Sequence, residues 1–509
     1  MSRSLTRAIS AWAQSDGSEI AIVADGVSFT RQEWAARTAR LAGLLRGRGL
    51  AADGRVAILG QNSHRHIQAL YASMWAGGIA VPLNWRLALG ELVATVRDCE
   101  PAVLIADAQF AQQAAALAAA VPSIRSVIVE GEYEGLLAAA PCVPDAGRHD
   151  DDVACLIYTG GTTGHAKGVM LTHTNLVANV ENASRVVPLG RDTVHLHCGA
   201  LFHLSALWRV FAVSLLGGRH VVLPRFEADS VLDAIESQRI TAAAFVPTML
   251  AALLDSPRFT PARLQSLRII TYGASPVSES LLERLMRALP HCGLYQGYGM
   301  TETSPVVTFS TPADHQSGHP HLRSCGRPVP GVQVRVMDSQ QRLAPAGSVG
   351  EIELQGATVM KGYWRQPQLT ATALRDGWMH TGDAGYLDAD GYLYIVDRLK
   401  DMVVTGGENV YSSEVENAIA SHPAVDACAV FGIPDAKWGE AVHAVVVPRA
   451  GCMLTPADIQ AHCRARIAAY KCPKSVELRS EPLPLSAVNK VLKAPLRAKW
   501  WAGHPRKVA

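Results

Sequence analysis

The twelve residues YTGGTTGHAKGV (158–169) hold four glycines, three threonines and one lysine. That composition suits an anion. Glycines let backbone N–H groups converge, threonine hydroxyls add donors, and Lys167 adds a mobile positive charge. The segment is not a Walker loop, in which Gly-Lys-Ser/Thr opens the helix directly: Ala166 precedes Lys167 and Gly168 follows it. The apolar run VACLIY (153–158) before the loop reads as a buried strand. After it, Leu171, Leu176, Val177 and Val180 fall on one helical stripe. The expected context is therefore strand, anion-binding loop, helix.

The elements that must carry this loop alternate regularly. AIVADGVSFT (21–30) reads as a hairpin turning at Asp25-Gly26. A helical segment follows at 31–49, then strand RVAILG (55–60), helix 66–78 and strand IAVPL (79–83). The middle repeats the style with GGRHVVLP, VLDAIESQRI, AAAFVPTML and LRIITYGAS. Helices alternating with short Val/Ile-rich runs imply mostly parallel sheets covered by helices. From about Gly331 the pattern becomes strand-turn-strand, a small β-structure, and near Asp397 a charged, glycine-bearing segment precedes a new αβ cycle. The expected fold is α/β: a large N-terminal domain (1–397) of helix-covered parallel sheets plus that β-structure, then a small mobile α+β C-terminal domain (398–509). The hinge is expected at 397–401. The His-containing STPADHQSGHPHLRS (310–324) reads as an exposed loop.

Composition sets bounds. With 509 residues the chain has room for more than one domain. Forty-seven Lys and Arg against 45 Asp and Glu give a near-neutral balance, which argues against nucleic acid as the partner. The ten cysteines form no CxxC pairs, as expected of reduced thiols in a cytoplasmic enzyme. The N-terminus lacks a sustained apolar run, so no signal peptide is expected. His203 and Arg209 interrupt the apolar stretch 200–216, which therefore reads as core and not as a membrane span. His195 and His197 in HLHC would share one strand face, but no complementary ligand pair accompanies them.

Four further motifs follow the glycine loop in order: YQGYGMTET (295–303), GWMHTGD (377–383), DRLKDMVVTGGENVY (397–411) and the lysine of LPLSAVNKVLK (483–493). Together they resemble the ATP-dependent adenylate-forming superfamily of acyl-CoA synthetases, luciferases and peptide-synthetase adenylation domains, over about residues 10–500. The resemblance implies two half-reactions. A carboxylate attacks the α-phosphate of ATP and expels pyrophosphate, and a thiol then attacks the acyl adenylate and releases AMP. It implies ATP, Mg²⁺ and coenzyme A, and nothing in it asks for a redox cofactor.

The same resemblance distributes roles. Thr159, Gly160, Gly161, Thr162, Thr163, Gly164 and Lys167 would hold the departing phosphates. Glu302, beside Thr301, would be the Mg²⁺ ligand, since a hard cation takes oxygen donors. Gly273, Ala274, Ser275, Gln296, Gly297 and Tyr298 would receive the adenine end of the nucleotide. Asp383, assisted by Arg398, would accept bonds from the ribose hydroxyls. Lys490 would bridge the attacking carboxylate and the α-phosphate. Three positions depart from the usual pattern: Gly160 replaces a serine, Ala166 a proline, and Asn489 a glycine.

For the second half-reaction, Lys400 sits at the family's hinge position. Gly406, Gly407 and Trp438 would line the pantetheine path of CoA, and Arg225 and Lys471 would meet its nucleotide phosphates. Phe202, His203, Ser205, Gly299 and Met300 would border the acyl pocket, with His203 as a gate at the carboxylate end. Gly299, where enzymes for acetate carry tryptophan, would leave the pocket deep. These features favour a medium- or long-chain fatty acid, with an aryl or cinnamic acid as the alternative. Arg209 could pair with a second carboxylate but reads more simply as outward-facing. A luciferase-like monooxygenase and a non-catalytic nucleotide- or acyl-binding protein are the readings from other classes. The resemblance leaves room for a weak peripheral membrane contact and for a homodimer.

Overall fold

Asp25 and Gly26 take positive φ, 50° and 76°, as a tight two-residue hairpin requires, and strands Ile20–Ala24 and Val27–Thr30 pair antiparallel around them. Thr30 then caps the helix Arg31–Gly47 in a capping box with Glu33. The computed structural model describes residues 3–159, 166–273, 277–399, 401–406, 408–485 and 491–502. The chain divides into two compact units: Met1–Val334 with Leu354–Met379, and Arg335–Glu353 with His380–Ala509. The architecture is mixed α/β, with parallel sheets in the large unit.

Two sheets organise the first unit. In the nine-stranded sheet, Ile20–Ala24, Arg219–Val222, Val194–His197, Ala242–Phe245, Ile269–Gly273 and Gly293–Tyr298 run parallel in that spatial order. Their Val/Ile/Ala-rich sequences suit burial on both faces. One face packs Leu196, Phe245 and Ile270 against Val231, Ile235, Leu250, Leu253, Leu282 and Leu285 from three helices. Each such side chain contributes about 1.5–3 kcal/mol on burial. The helix Leu204–Leu216 covers the other face. Its Phe211 meets Tyr71 of the helix His64–Trp75 edge-on, with centroids 6.0 Å apart.

The seven-stranded sheet runs parallel through Ser126–Val129, Val103–Ala106, Arg55–Leu59, Ile79–Pro82 and Val153–Thr159. Here the sequence expectation needs correction. The glycine loop does not lead straight into a helix: Lys167–Thr172 forms an antiparallel strand against Val153–Thr159, with Thr159 opposite Lys167. Val169 and Leu171 are fully buried on this strand, and the helix His173–Ser184 starts only after it, capped by Thr172. The stretch 310–324 is also not simply exposed, because Asp314, His315, Leu322 and Ser324 are buried.

In the second unit Val425–Asp435 and Gly439–Pro448 pair antiparallel, and Ser475–Leu478 adds in parallel. Val415, Ile419, Ile459 and Cys463 from two helices bury against this sheet. Among the described residues no helix is long and apolar enough to cross a membrane.

Candidate active site

In the nine-stranded sheet the strand Val194–His197 connects forward to Arg219–Val222 on one side, while its neighbour Ala242–Phe245 connects to Ile269–Gly273 on the other. Ligands of open α/β sheets enter where connections diverge in this way, beyond the carboxyl ends of the strands. His203, N-cap of the helix Leu204–Leu216, lies on that first connection. Phe202 is buried, 4.4 Å centroid to centroid from the His203 ring and edge-on to Trp85. Ser205 is exposed.

Glycines let the neighbouring strand ends approach closely. A Cβ on Gly273 would lie 2.3 Å from the Gly297 oxygen, and one on Gly297 2.9 Å from the Phe309 ring. Gln296 Oε1 accepts from the Tyr272 hydroxyl at 3.3 Å. Tyr298 is half-buried and its carbonyl accepts from Val307 N–H. The expectation for Gly299 meets an obstacle: a Cβ there would come within 1.6 Å of the Pro305 oxygen. Glycine is required at this position by the backbone approach, whatever the depth of the pocket.

Met300 N–H donates to Thr303 Oγ1 at 3.1 Å, fixing the short turn Thr301–Thr303 that presents Glu302. Glu302 is buried, and Tyr363 donates its hydroxyl to Glu302 Oε1 at 2.9 Å. Burial, with that carboxylate beside it, pushes the Tyr363 phenol up. Lys167 Nζ stands 5.3 Å from the centre of the same ring. Two motifs distant in sequence thus meet through Tyr363, a residue sequence reasoning missed. Its only local signal is a two-residue strand, Gly362–Tyr363, paired with Met170 and Val169. A buried carboxylate with a fixed donor is an oxygen site fit for a hard cation.

In the second unit, Asp383 and Arg398 stand opposite each other on strands Trp378–Leu387 and Leu393–Arg398, with Nε and Oδ1 3.0 Å apart. The Asp383 side chain is almost fully buried and that of Arg398 half-exposed. Thr381 Oγ1 accepts from Asp383 N–H at 3.0 Å and donates to the Ile352 carbonyl, holding the turn into Asp383. The buried carboxylate of Asp397 accepts from Ser412 Oγ at 2.7 Å, joining the end of its strand to the helix Ser412–Ala420.

The residues expected to meet CoA fare differently. Gly406 has φ of +61°, its N–H donates to Trp438 O at 2.8 Å, and a Cβ there would lie 2.8 Å from the Trp438 ring. These two are brought together. Lys471 is engaged by Glu414 at 2.7 Å, a hydrogen bond that raises its pKa, and Arg225 pairs with Glu227 on the surface. Gly160, Gly161, Thr162, Thr163, Gly164, Ala274, Ser275, Lys400, Gly407 and Lys490 lie outside the described residues.

Arg209 contradicts its expected outward placement. It is buried, donating through Nε and Nη2 to Thr271 Oγ1 at 3.0 and 2.7 Å and through Nη1 to the Ser205 carbonyl. Burial lowers its pKa to about 9, so it remains a cation at neutral pH. His195 and His197 do share a strand face, with ring centroids 4.6 Å apart, and His197 Nε2 lies 3.0 Å from His220 Nδ1. Burial holds all three well below the usual histidine range.

Residues 9–364 match the AMP-binding enzyme family, and residues 414–490 match the AMP-binding enzyme C-terminal domain. The chain belongs to the AMP-binding enzymes and is an acid–thiol ligase. It is 41% identical over 481 residues to a feruloyl-CoA synthase of an Amycolatopsis species, covering 93% of this chain and 94% of that one. It is 34% identical over 516 residues to the fatty acid–[acyl-carrier-protein] ligase ScoC of Streptomyces coeruleorubidus, covering 99% and 98%. ATP-bound MatB from Rhodopseudomonas palustris superposes with a TM-score of 0.89 at 32% identity, over 99% of this chain and 100% of that one. The o-succinylbenzoate CoA synthetase MenE of Bacillus subtilis, in complex with ATP and magnesium, gives 0.86 at 29% identity, over 97% and 98%.

Proposed function

We propose that this enzyme activates an aryl carboxylic acid with ATP and transfers the acyl group to the thiol of coenzyme A. The carboxylate oxygen attacks the α-phosphorus, and the bond to pyrophosphate breaks. The thiolate sulfur then attacks the acyl carbonyl of the adenylate, and AMP leaves with the bonding pair of the C–O bond. The choice of acid is carried by the similarity to feruloyl-CoA synthase along nearly the whole chain. The sequence alone puts a medium- or long-chain fatty acid first, and the similarity to ScoC keeps that as the second reading.

Roles follow the chemistry of the side chains. Glu302, oriented by Tyr363, offers its carboxylate to Mg²⁺. The cation, when bound, neutralises charge developing on the departing phosphates. Asp383, held by Arg398, accepts the ribose hydroxyls. Lys490 supplies positive charge between the attacking carboxylate and the α-phosphate. Residues 398–509 move as a body about 397–401 between the half-reactions, exchanging Lys490 for Gly406, Gly407 and Trp438. Pyrophosphate release and thioester formation measured across aryl and alkyl acids, with and without CoA, test the proposal. Ferulate-type acids should exceed octanoate and palmitate in kcat/KM. Faster turnover of palmitate than of any aryl acid would reverse the order.

A further inference from the structure

We propose that Arg209, with Thr271 and His195, recognises a second oxygen acid at the far end of the substrate, so that the acid activated here carries a distal carboxylate or ionisable phenol. The inference rests on the ligase reading above and deepens it.

Three observations meet on one face of the nine-stranded sheet. First, Arg209 is a buried cation, and among the described residues no carboxylate lies within salt-bridge reach of it. Its partners, the Thr271 hydroxyl, the Ser205 carbonyl and the Trp208 ring at 4.8 Å, engage three of its five N–H donors and leave the charge uncompensated. Removing one ion from water without a counter-charge is costly, and the cost falls when an anion arrives. Second, the His195 ring is buried beside Arg209, and its Nδ1 has no hydrogen-bond partner. A buried ring nitrogen left over in this way is suited to a further polar group. Third, the position fits. Arg209 lies six residues beyond His203 along one helix, about 9 Å at 1.5 Å per residue. Thr271 lies two residues below Gly273 on its strand, about 7 Å at 3.3 Å per residue. Both rulers run between backbone positions; the guanidinium itself reaches back one turn to the Ser205 carbonyl and across to Thr271, so the cation stands between those levels, below the strand ends where the connections diverge. An unsubstituted alkyl tail reaching that depth would lay methylenes against a charged guanidinium. A phenolate or carboxylate would meet a planar fork of donors.

The test uses the whole enzyme and pyrophosphate release with ATP. Cinnamate, 4-hydroxycinnamate, 4-carboxycinnamate, octanoate and octanedioate are compared by kcat/KM. At least one acid with a distal oxygen should exceed its unsubstituted counterpart roughly 10- to 100-fold, the worth of one hydrogen bond to a charged group. Which pair shows the gap tells phenol from carboxylate. Cinnamate and octanoate matching or exceeding their oxygenated partners would overturn the inference while leaving the ligase reading intact. No pyrophosphate release with any acid would overturn both. In Arg209→Met that ratio should collapse toward one. A purely structural role would lower all acids by the same factor and preserve the ratio, which also overturns the inference. Arg209→Lys keeps the charge without the fork. Should the Met variant fail to fold, Arg209→Lys should still shrink the ratio several-fold, and an unchanged ratio counts against us.

Discussion

Replacing Tyr363 with Phe isolates one hydrogen bond. The phenol donates to Glu302 Oε1 at 2.9 Å in a buried setting, while the ring itself packs near Lys167 Nζ at 5.3 Å. Phenylalanine keeps the ring, its packing and the cation contact, and removes only the donor. A hydrogen bond to a charged acceptor is worth about 1.5–3 kcal/mol, which corresponds to about 10- to 100-fold in rate or affinity. Loss of a partner that orients a metal-ligating carboxylate falls in the same range. We therefore expect kcat/KM for ATP in pyrophosphate release to fall about 10- to 100-fold, with the Mg²⁺ concentration for half-maximal rate displaced. Thioester formation from supplied acyl adenylate should change far less, because it needs no departing pyrophosphate. Titrating Mg²⁺ at saturating acid reads the first effect, and a single-turnover reaction of acyl adenylate with CoA reads the second. Unchanged adenylation in a folded Tyr363→Phe protein would refute the assignment of Glu302. Equal losses in both half-reactions would refute its confinement to the first.

Other expectations follow from the same structure. Lys490→Ala should lower adenylation about 10²- to 10³-fold and spare thioesterification of supplied adenylate, read in the same two assays. Gly406→Ala strains a left-handed backbone by about 1–2 kcal/mol and presses a methyl on Trp438, so CoA-dependent turnover should fall while pyrophosphate release stays near normal. Gly299→Trp should depress short and long acids alike and lower the thermal midpoint, because its Cβ meets the Pro305 oxygen; selective loss of large acids would contradict this. Burial raises the Asp107 carboxyl from 3.8 to about 6. Between those values the folded chain keeps a proton that the unfolded chain has lost, so stability falls as pH rises through the window. Asp107→Asn should therefore stabilise by about 1–2 kcal/mol at pH 7.5, with the gain vanishing below pH 4 in denaturant titrations.

The hairpin at Asp25-Gly26 and the alternating helices and strands were legible because local chemistry decides them: positive φ at the turn, and apolar runs too short for anything but strands. The sequence hides the glycine loop's context because Lys167–Thr172 is a strand of only six residues followed directly by a helix, so its apolar positions blend into the helical stripe. It hides the placement of Arg209 for a similar reason. Arginine on a helix ordinarily faces water, and nothing nearby in sequence announces that its acceptor is Thr271, 62 residues away. Tyr363 was invisible on the same grounds, meeting Glu302 across 61 residues. What the motifs made readable was the order of the chemistry. Which groups hold those motifs in place is a property of through-space pairing.

The contact between Gly299 and the Pro305 oxygen bears on how this enzyme could be adapted to new acids. Enzymes for acetate carry tryptophan at this position, but in this backbone any Cβ at 299 meets the Pro305 oxygen, so a side chain there must first displace that segment and the position makes a poor dial. Variation in acid preference, natural or engineered, is then pushed onto side chains that can change size or charge while leaving the backbone alone. On the helix Leu204–Leu216 such positions recur once per turn. A library built there, with 299 held as glycine, should return folded variants of altered preference, whereas one centred on 299 should return mostly insoluble protein.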